Sequence, residues 1–204
     1  HVAGTIAAVK DDKGVVGVAP KAKVYAVKVL DKDGGGDTEG IVAGIAWAVK
    51  NKMKVINMSL GGPSSAAMTK AVKKAYDAGV TVVAAAGNDP DAPVSAPARY
   101  PQSIAVSAST KEDKLAFFST TGPEIAVIAP GHEITSLAPG GKYAKHSGTS
   151  MACPHVAGLA ALAVSLGASS PKAVREALAA AAVPLGKLTA EQQGAGLVEA
   201  DRLK

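Results

Sequence analysis

Apolar residues along the chain alternate between two kinds of stretch. Short runs rich in Val and Ile, at Val24–Leu30, Val55–Pro63 (ending in glycines), Thr81–Asn88 (a strand and its turn) and Ser103–Ser107, predict strands. Between them, apolar positions recur every three or four residues. Ile41, Ile45, Ala48 and Val49 mark a helix capped by Asp37 or Thr38 and ending near Asn51. A second helix is predicted from about Ser64 to Asp77, closed by Gly79. A third follows Ser169-Ser170-Pro171, a cap and then a proline at the first helical position, and buries Val174, Leu178 and Ala181. Ser136–Tyr143 reads as a hairpin, and His1–Ala8 as a segment of helix rich in small residues.

Composition narrows the architecture. Of 204 residues, 48% are apolar but only 3% aromatic, so the core is built from Ala, Val, Ile and Leu. Such a core suits a parallel sheet covered by helices. The length fits one domain, 1–204, and neither an internal repeat nor a linker interrupts it. No apolar run is long enough to span a bilayer. The net charge of +5 comes from scattered lysines without interleaved aromatics, which argues against a nucleic-acid surface. The single cysteine, Cys153, excludes an internal disulfide and reads as a packing residue.

Candidate chemistry concentrates at Ser147-Gly148-Thr149-Ser150-Met151-Ala152-Cys153-Pro154-His155, which leads into the apolar run Val156–Val164. A helix should start near Thr149 or Ser150, with Pro154 in or near its first turn. That sets the Ser150 hydroxyl beside free backbone N–H groups at a positive helix end, where a serine is either an N-cap or a nucleophile. The G-x-S-x-G elbow of the α/β-hydrolases is absent, because the fifth residue is Ala152.

The string S-G-T-S-M-A-C-P-H-V-A-G resembles the serine motif of the subtilisin-like serine proteases. The resemblance runs from His1 to nearly Lys204, with further blocks in family order: A-A-G-N at 85–88, F-S-x-x-G-P at 118–123, A-P-G at 129–131 and G-x-G-x-V at 194–198. It implies an α/β three-layer sandwich, with a mostly parallel central sheet and helices on both faces. It also implies a secreted endopeptidase acting on protein or peptide substrates through an acyl-enzyme. Ser150 matches the nucleophile and Asn88 the oxyanion-hole asparagine. Gly34, Gly35 and Gly36 match one substrate-pairing edge, and Ser59, Leu60 and Gly61 the other. Ser95 matches the floor of the specificity pocket, where Ala96 replaces the usual aromatic and Pro97 is a candidate cis proline. The loop Val9–Gly17 matches a calcium-binding loop, with the Asp11 side chain and the carbonyls of Val9, Lys13 and Val15 as ligands.

His1 matches the second, non-catalytic histidine of the family's H-G-T-H-V-A-G. The catalytic histidine, the aspartate and a central strand of the sheet would therefore come from an N-terminal part outside these residues, as a longer polypeptide, a complementing segment or a propeptide. His146 stands too close to Ser150 to act as the base and reads as a leaving-side contact or a surface residue. A non-catalytic module that binds extended peptides along Gly34–Gly36 and Ser59–Gly61 is the alternative. An esterase or lipase fits less well, because the elbow is absent.

Overall fold

The computed structural model describes residues 1–204. Helix α1 (Val2–Ala7) is followed by α2 (Thr38–Lys50), β1 (Val55–Met58), α3 (Ala66–Asp77), β2 (Thr81–Ala85) and β3 (Ser103–Ser109). Then come β4 (Ile125–Pro130), the hairpin β5 (Ile134–Ala138) and β6 (Lys142–His146), and α4 (Thr149–Ser165). The chain closes with α5 (Pro171–Ala180), β7 (Ala182–Val183), α6 (Ala190–Gln193) and β8 (Leu197–Val198).

Six strands form one sheet in the order β1-β2-β3-β4-β8-β7. The pairs from β1 to β8 are parallel, and β7 is antiparallel to β8. Because side chains alternate along a strand, β2 serves two cores at once. Val83 and Ala85 pack with Ala152, Val156, Ala160 and Leu178 from α4 and α5. Val82 and Ala84 pack with Ile45, Met68 and Val72 from α2 and α3. The sheet thus has helices on both faces, and every residue of β2 is buried, as expected for a parallel strand covered twice.

Local chemistry sets the helix starts. The carboxylate of Asp37 accepts from Gly40 N–H at 2.6 Å, Ser65 Oγ from Met68 N–H at 3.1 Å, and Ser170 Oγ from Ala173 N–H at 3.1 Å. Gly79 follows α3 at φ +80°, a left-handed position that glycine occupies without strain. The Ala96–Pro97 bond is cis, as the sequence suggested.

Two expectations are corrected. Val24–Leu30 was expected as a strand, but it joins neither sheet. No neighbouring backbone reaches it, so the β-branched run has no ladder to join. Pro154 lies in the second turn of α4 rather than the first, five residues after Thr149. The cap of α4 is Gly148, at φ +153°, so Ser150 is not the N-cap.

Candidate active site

Ser150 stands in the first turn of α4, where its N–H has no intrahelical partner and donates to no other carbonyl. Its Oγ donates to the Ser59 carbonyl at 3.2 Å. In return, Ser59 Oγ donates to the Ser150 carbonyl at 2.8 Å. The reason lies four residues on. In a regular helix the N–H of residue 154 would reach the Ser150 carbonyl, and proline has none to offer. Ser59 fills that vacancy, and its own oxygen accepts from Asn57 Nδ2 at 3.0 Å.

Asn88 follows the β2 strand and the buried Ala86. Its Oδ1 accepts from Thr149 N–H at 2.8 Å and from Thr149 Oγ1 at 3.0 Å. Thr149 Oγ1 also accepts from Gly87 N–H at 3.1 Å, so one buried hydroxyl fastens the turn to the helix. With Oδ1 engaged, the Asn88 amide turns Nδ2 toward Gly148, where a Cβ on that glycine would lie 3.3 Å away. Two donors, Asn88 Nδ2 and Ser150 N–H, thus flank the start of α4 without protein acceptors, an arrangement that can hold an oxyanion.

The second edge is tied to the same place. Gly62 and Ala96 exchange both backbone bonds, Gly62 N–H to Ala96 O at 3.0 Å and Ala96 N–H to Gly62 O at 3.1 Å. This draws Ser59–Gly61 against Ser95, whose Cβ would be 2.9 Å from a Cβ at Gly61. Leu60 is half-buried against the α2–α3 core. Gly34, Gly35 and Gly36 stand apart in an exposed loop held by the Asp31 carboxylate, which accepts from Asp33 and Gly35 N–H at 2.9 Å each. The structure therefore brings Ser150, Asn88, Ser59, Gly61 and Ser95 together, and leaves the glycine triplet without a direct contact to them.

None of the four histidines bonds to Ser150. His155 is half-buried on α4 with Nδ1 at 2.9 Å from the Met151 carbonyl, and burial holds its pKa below the usual value. His146 is exposed on β6, its ring centroid 4.8 Å from that of His1. Cys153 is buried, and loss of solvation pushes its thiol up to about 12, so it stays protonated packing.

The loop Val9–Val15 is mostly exposed, and Asp11 Oδ1 accepts from Lys13 N–H at 3.2 Å. The carbonyls of Val9, Lys13 and Val15 accept no backbone hydrogen bond. One carboxylate and three carbonyls are the oxygen donors a hard cation takes, against the six to eight that calcium prefers. They fit the ion in type, with further ligands required.

Thr149 is the site residue that sequence reasoning passed over. It is adjacent to Ser150, but nothing in the order of residues announces that it grips Asn88 across 61 positions.

The fold is thus of α/β class, with Ser150 and a neighbouring pair of free donors at the carboxyl end of a parallel sheet. The chain belongs to the subtilase family, whose model matches residues 1–196. It is 50% identical over 192 residues to subtilisin E of Bacillus subtilis, covering 91% of this chain and 50% of that protein. The subtilisin of Bacillus pumilus is also 50% identical over 192 residues, with 70% of its length covered. The thermostable alkaline protease of Halalkalibacterium halodurans is 47% identical over 204 residues, covering 99% of this chain and 56% of that protein. The chain spans about half the length of the first relatives it matches.

Proposed function

We propose that residues 1–204 carry the nucleophile and oxyanion half of a secreted subtilisin-type endopeptidase. Ser150 Oγ attacks the scissile carbonyl of an extended peptide lying along Ser59–Gly61 and Gly34–Gly36, with its preceding side chain over Ser95. The oxyanion of the tetrahedral intermediate sits between Asn88 Nδ2 and Ser150 N–H. Collapse expels the amine and leaves an ester on Ser150, which water then hydrolyses. The observation that carries this reading is the Thr149 latch, which spends Asn88 Oδ1 and leaves Nδ2 free beside Ser150.

In this reading the histidine that takes the Ser150 proton, and its orienting carboxylate, are supplied from outside residues 1–204. Calcium at Val9, Asp11, Lys13 and Val15 would pin the exposed loop that follows α1; its role is structural. The reading of a non-catalytic peptide binder shares the two substrate edges and differs only at Ser150.

The test is intact-mass spectrometry before and after exposure to a fluorophosphonate. The expected result is an adduct on Ser150 only where polypeptide supplying the histidine is present, and none in the Ser150→Ala variant. Robust hydrolysis by residues 1–204 alone would overturn the assignment of the base. Hydrolysis without labelling of Ser150 would overturn the assignment of the nucleophile.

A further inference from the structure

A cavity of about 310 Å³ opens at the amino end of the sheet, where Lys54 leads into β1 and Thr81 begins β2. Ser169 and Ser170, the lead-in to α5, line it as well. So do Gly79 and Gly167, which stand just past the ends of α3 and α4. Ser150 and Asn88 lie at the opposite, carboxyl end of the strands, so this cavity is separate from theirs.

What the cavity offers is donors. The ends of α3 and α4 spend their carbonyls on their own termini. Lys74, Ala75 and Tyr76 accept from Ala78, Val80 and Gly79, while Leu162, Ala163 and Val164 accept from Leu166, Ala168 and Gly167. The start of α5 is the reverse. Ser170 Oγ takes Ala173 N–H and the Ser170 carbonyl takes Val174 N–H at 2.9 Å, but the N–H groups of Ser169, Ser170 and Lys172 reach no acceptor. They stand at the positive end of a 10-residue helix. No carboxylate lines the cavity, and its one charged side chain, Lys54, makes no salt bridge.

Thr81 points the same way by an independent route. Val83 and Ala85 of β2 face α4 and α5, and alternation puts the Thr81 side chain on that face, toward the cavity. It is 2% exposed, yet its hydroxyl bonds to no protein group, whereas the buried hydroxyls of Thr120 and Thr149 are both engaged. Buried hydroxyls are nearly always hydrogen-bonded, so the partner of this one has to enter through the cavity.

We propose that the cavity binds a tetrahedral oxyanion of the phosphate class. Lys54 supplies the compensating charge. The N–H groups of Ser169 and Ser170 and the Ser169 hydroxyl bond its oxygens from the side of α5, and Thr81 Oγ1 bonds them from the side of the sheet. The space equals that of roughly ten water molecules, enough for the anion and part of its hydration shell. One exposed lysine sets half-saturation in the millimolar range. The anion joins the starts of β1, β2 and α5, and its occupancy stabilises the fold by mass action. This inference stands apart from the peptidase reading.

The test titrates inorganic phosphate into the Ser150→Ala chain at neutral pH, against sodium chloride of matched ionic strength. The readouts are backbone amide NMR shifts and melting temperature. The amides of Ser169, Ser170 and Lys172 should move along one saturating curve with phosphate and stay in place with chloride, and phosphate should raise the melting temperature. Lys54→Gln should weaken half-saturation by about tenfold or more. Thr81→Val, of the same shape without the hydroxyl, should weaken it about fivefold and leave the phosphate-free chain no less stable, since no protein bond is lost. Lys111→Gln, outside the cavity, should change nothing. Equal shifts in chloride, a curve unchanged by Lys54→Gln and Thr81→Val, or weakening as large in Lys111→Gln would overturn the proposal. So would a Thr81→Val chain destabilised without phosphate, because its hydroxyl would then have a protein partner. Ser150 is absent from every arm, so failure of the peptidase reading would leave these outcomes unaltered.

Discussion

The hydroxyl of Ser59 donates to the Ser150 carbonyl at 2.8 Å while Ser150 Oγ donates to the Ser59 carbonyl at 3.2 Å. The pair closes a ring between the end of β1 and the start of α4. It exists because Pro154 leaves the Ser150 carbonyl without its helical donor. Ser59→Ala should therefore strand a half-buried acceptor and cost about 1–3 kcal/mol of stability. Urea denaturation checks this. A loss no larger in Ser59→Ala than in the Ser59→Ala, Pro154→Ala double variant would show that the proline vacancy is not what Ser59 serves.

Asn88 is aimed by Thr149 rather than by its own turn. Thr149→Val keeps the shape but removes the hydroxyl that reaches both Gly87 and Asn88. Asn88 Oδ1 then keeps only the bond from the backbone N–H of residue 149, so its side chain should become more mobile, seen as a lower NMR order parameter of its NH₂ group, with about 1–2 kcal/mol of stability lost. Thr149→Ser should restore both. An unchanged order parameter in Thr149→Val would show that the hydroxyl is not what fixes Asn88.

Cys153 makes a chemical clock for opening of the serine helix. It is buried, and its thiol is pushed up to about 12. Iodoacetamide should not alkylate it in the folded protein at pH 8, and should react at the ordinary thiol rate in denaturant. Rapid native-state alkylation would mean that α4 detaches from the sheet far more often than its burial implies.

The alternation of short β-branched runs with helix-period segments gave the layers and the parallel sheet, because buried parallel strands and amphipathic helices leave different periods. Asp37 and Ser170 were readable as caps, since capping is a contact within one turn. Val24–Leu30 was not readable in the same way. Its composition states a preference for extended backbone, but pairing depends on what lies beside it, and β propensity does not carry that. The same limit hid the Thr149–Asn88 contact, which joins residues brought together only by the sheet. The Pro154–Ser150 relation, by contrast, was open to inspection, because proline always orphans the carbonyl four residues back. Only its partner, 91 residues from Ser150, needed the fold.

A calcium role for the loop after α1 makes a simple prediction. Ion bound to the folded loop and not to the unfolded chain stabilises by mass action, about 2.7 kcal/mol at a hundred times its dissociation constant. Added calcium should raise the melting temperature, and Asp11→Ala should remove most of that rise, since Asp11 supplies the side-chain oxygen of the set. Magnesium, which demands a tighter octahedral shell, should do less. A calcium response unchanged by Asp11→Ala would place the ion elsewhere.

His155 should set an acid limit on stability. Its ring is half-buried on α4, and desolvation holds its folded pKa below the ordinary 6.5, opposed in part by the bond to the Met151 carbonyl. Protonation is then easier in the unfolded chain than in the folded one. The unfolded state takes up more protons as the pH drops, and stability falls with it. The contribution is fully present above about pH 6.5 and is lost as the pH falls through the lower folded value. His155→Gln keeps a polar side chain of similar size without the titration, so its stability should be flatter between pH 7 and pH 5 than that of the parent. Chemical denaturation at both pH values measures the difference. Equal slopes in the two proteins would show that the acid sensitivity, if any, arises at another group.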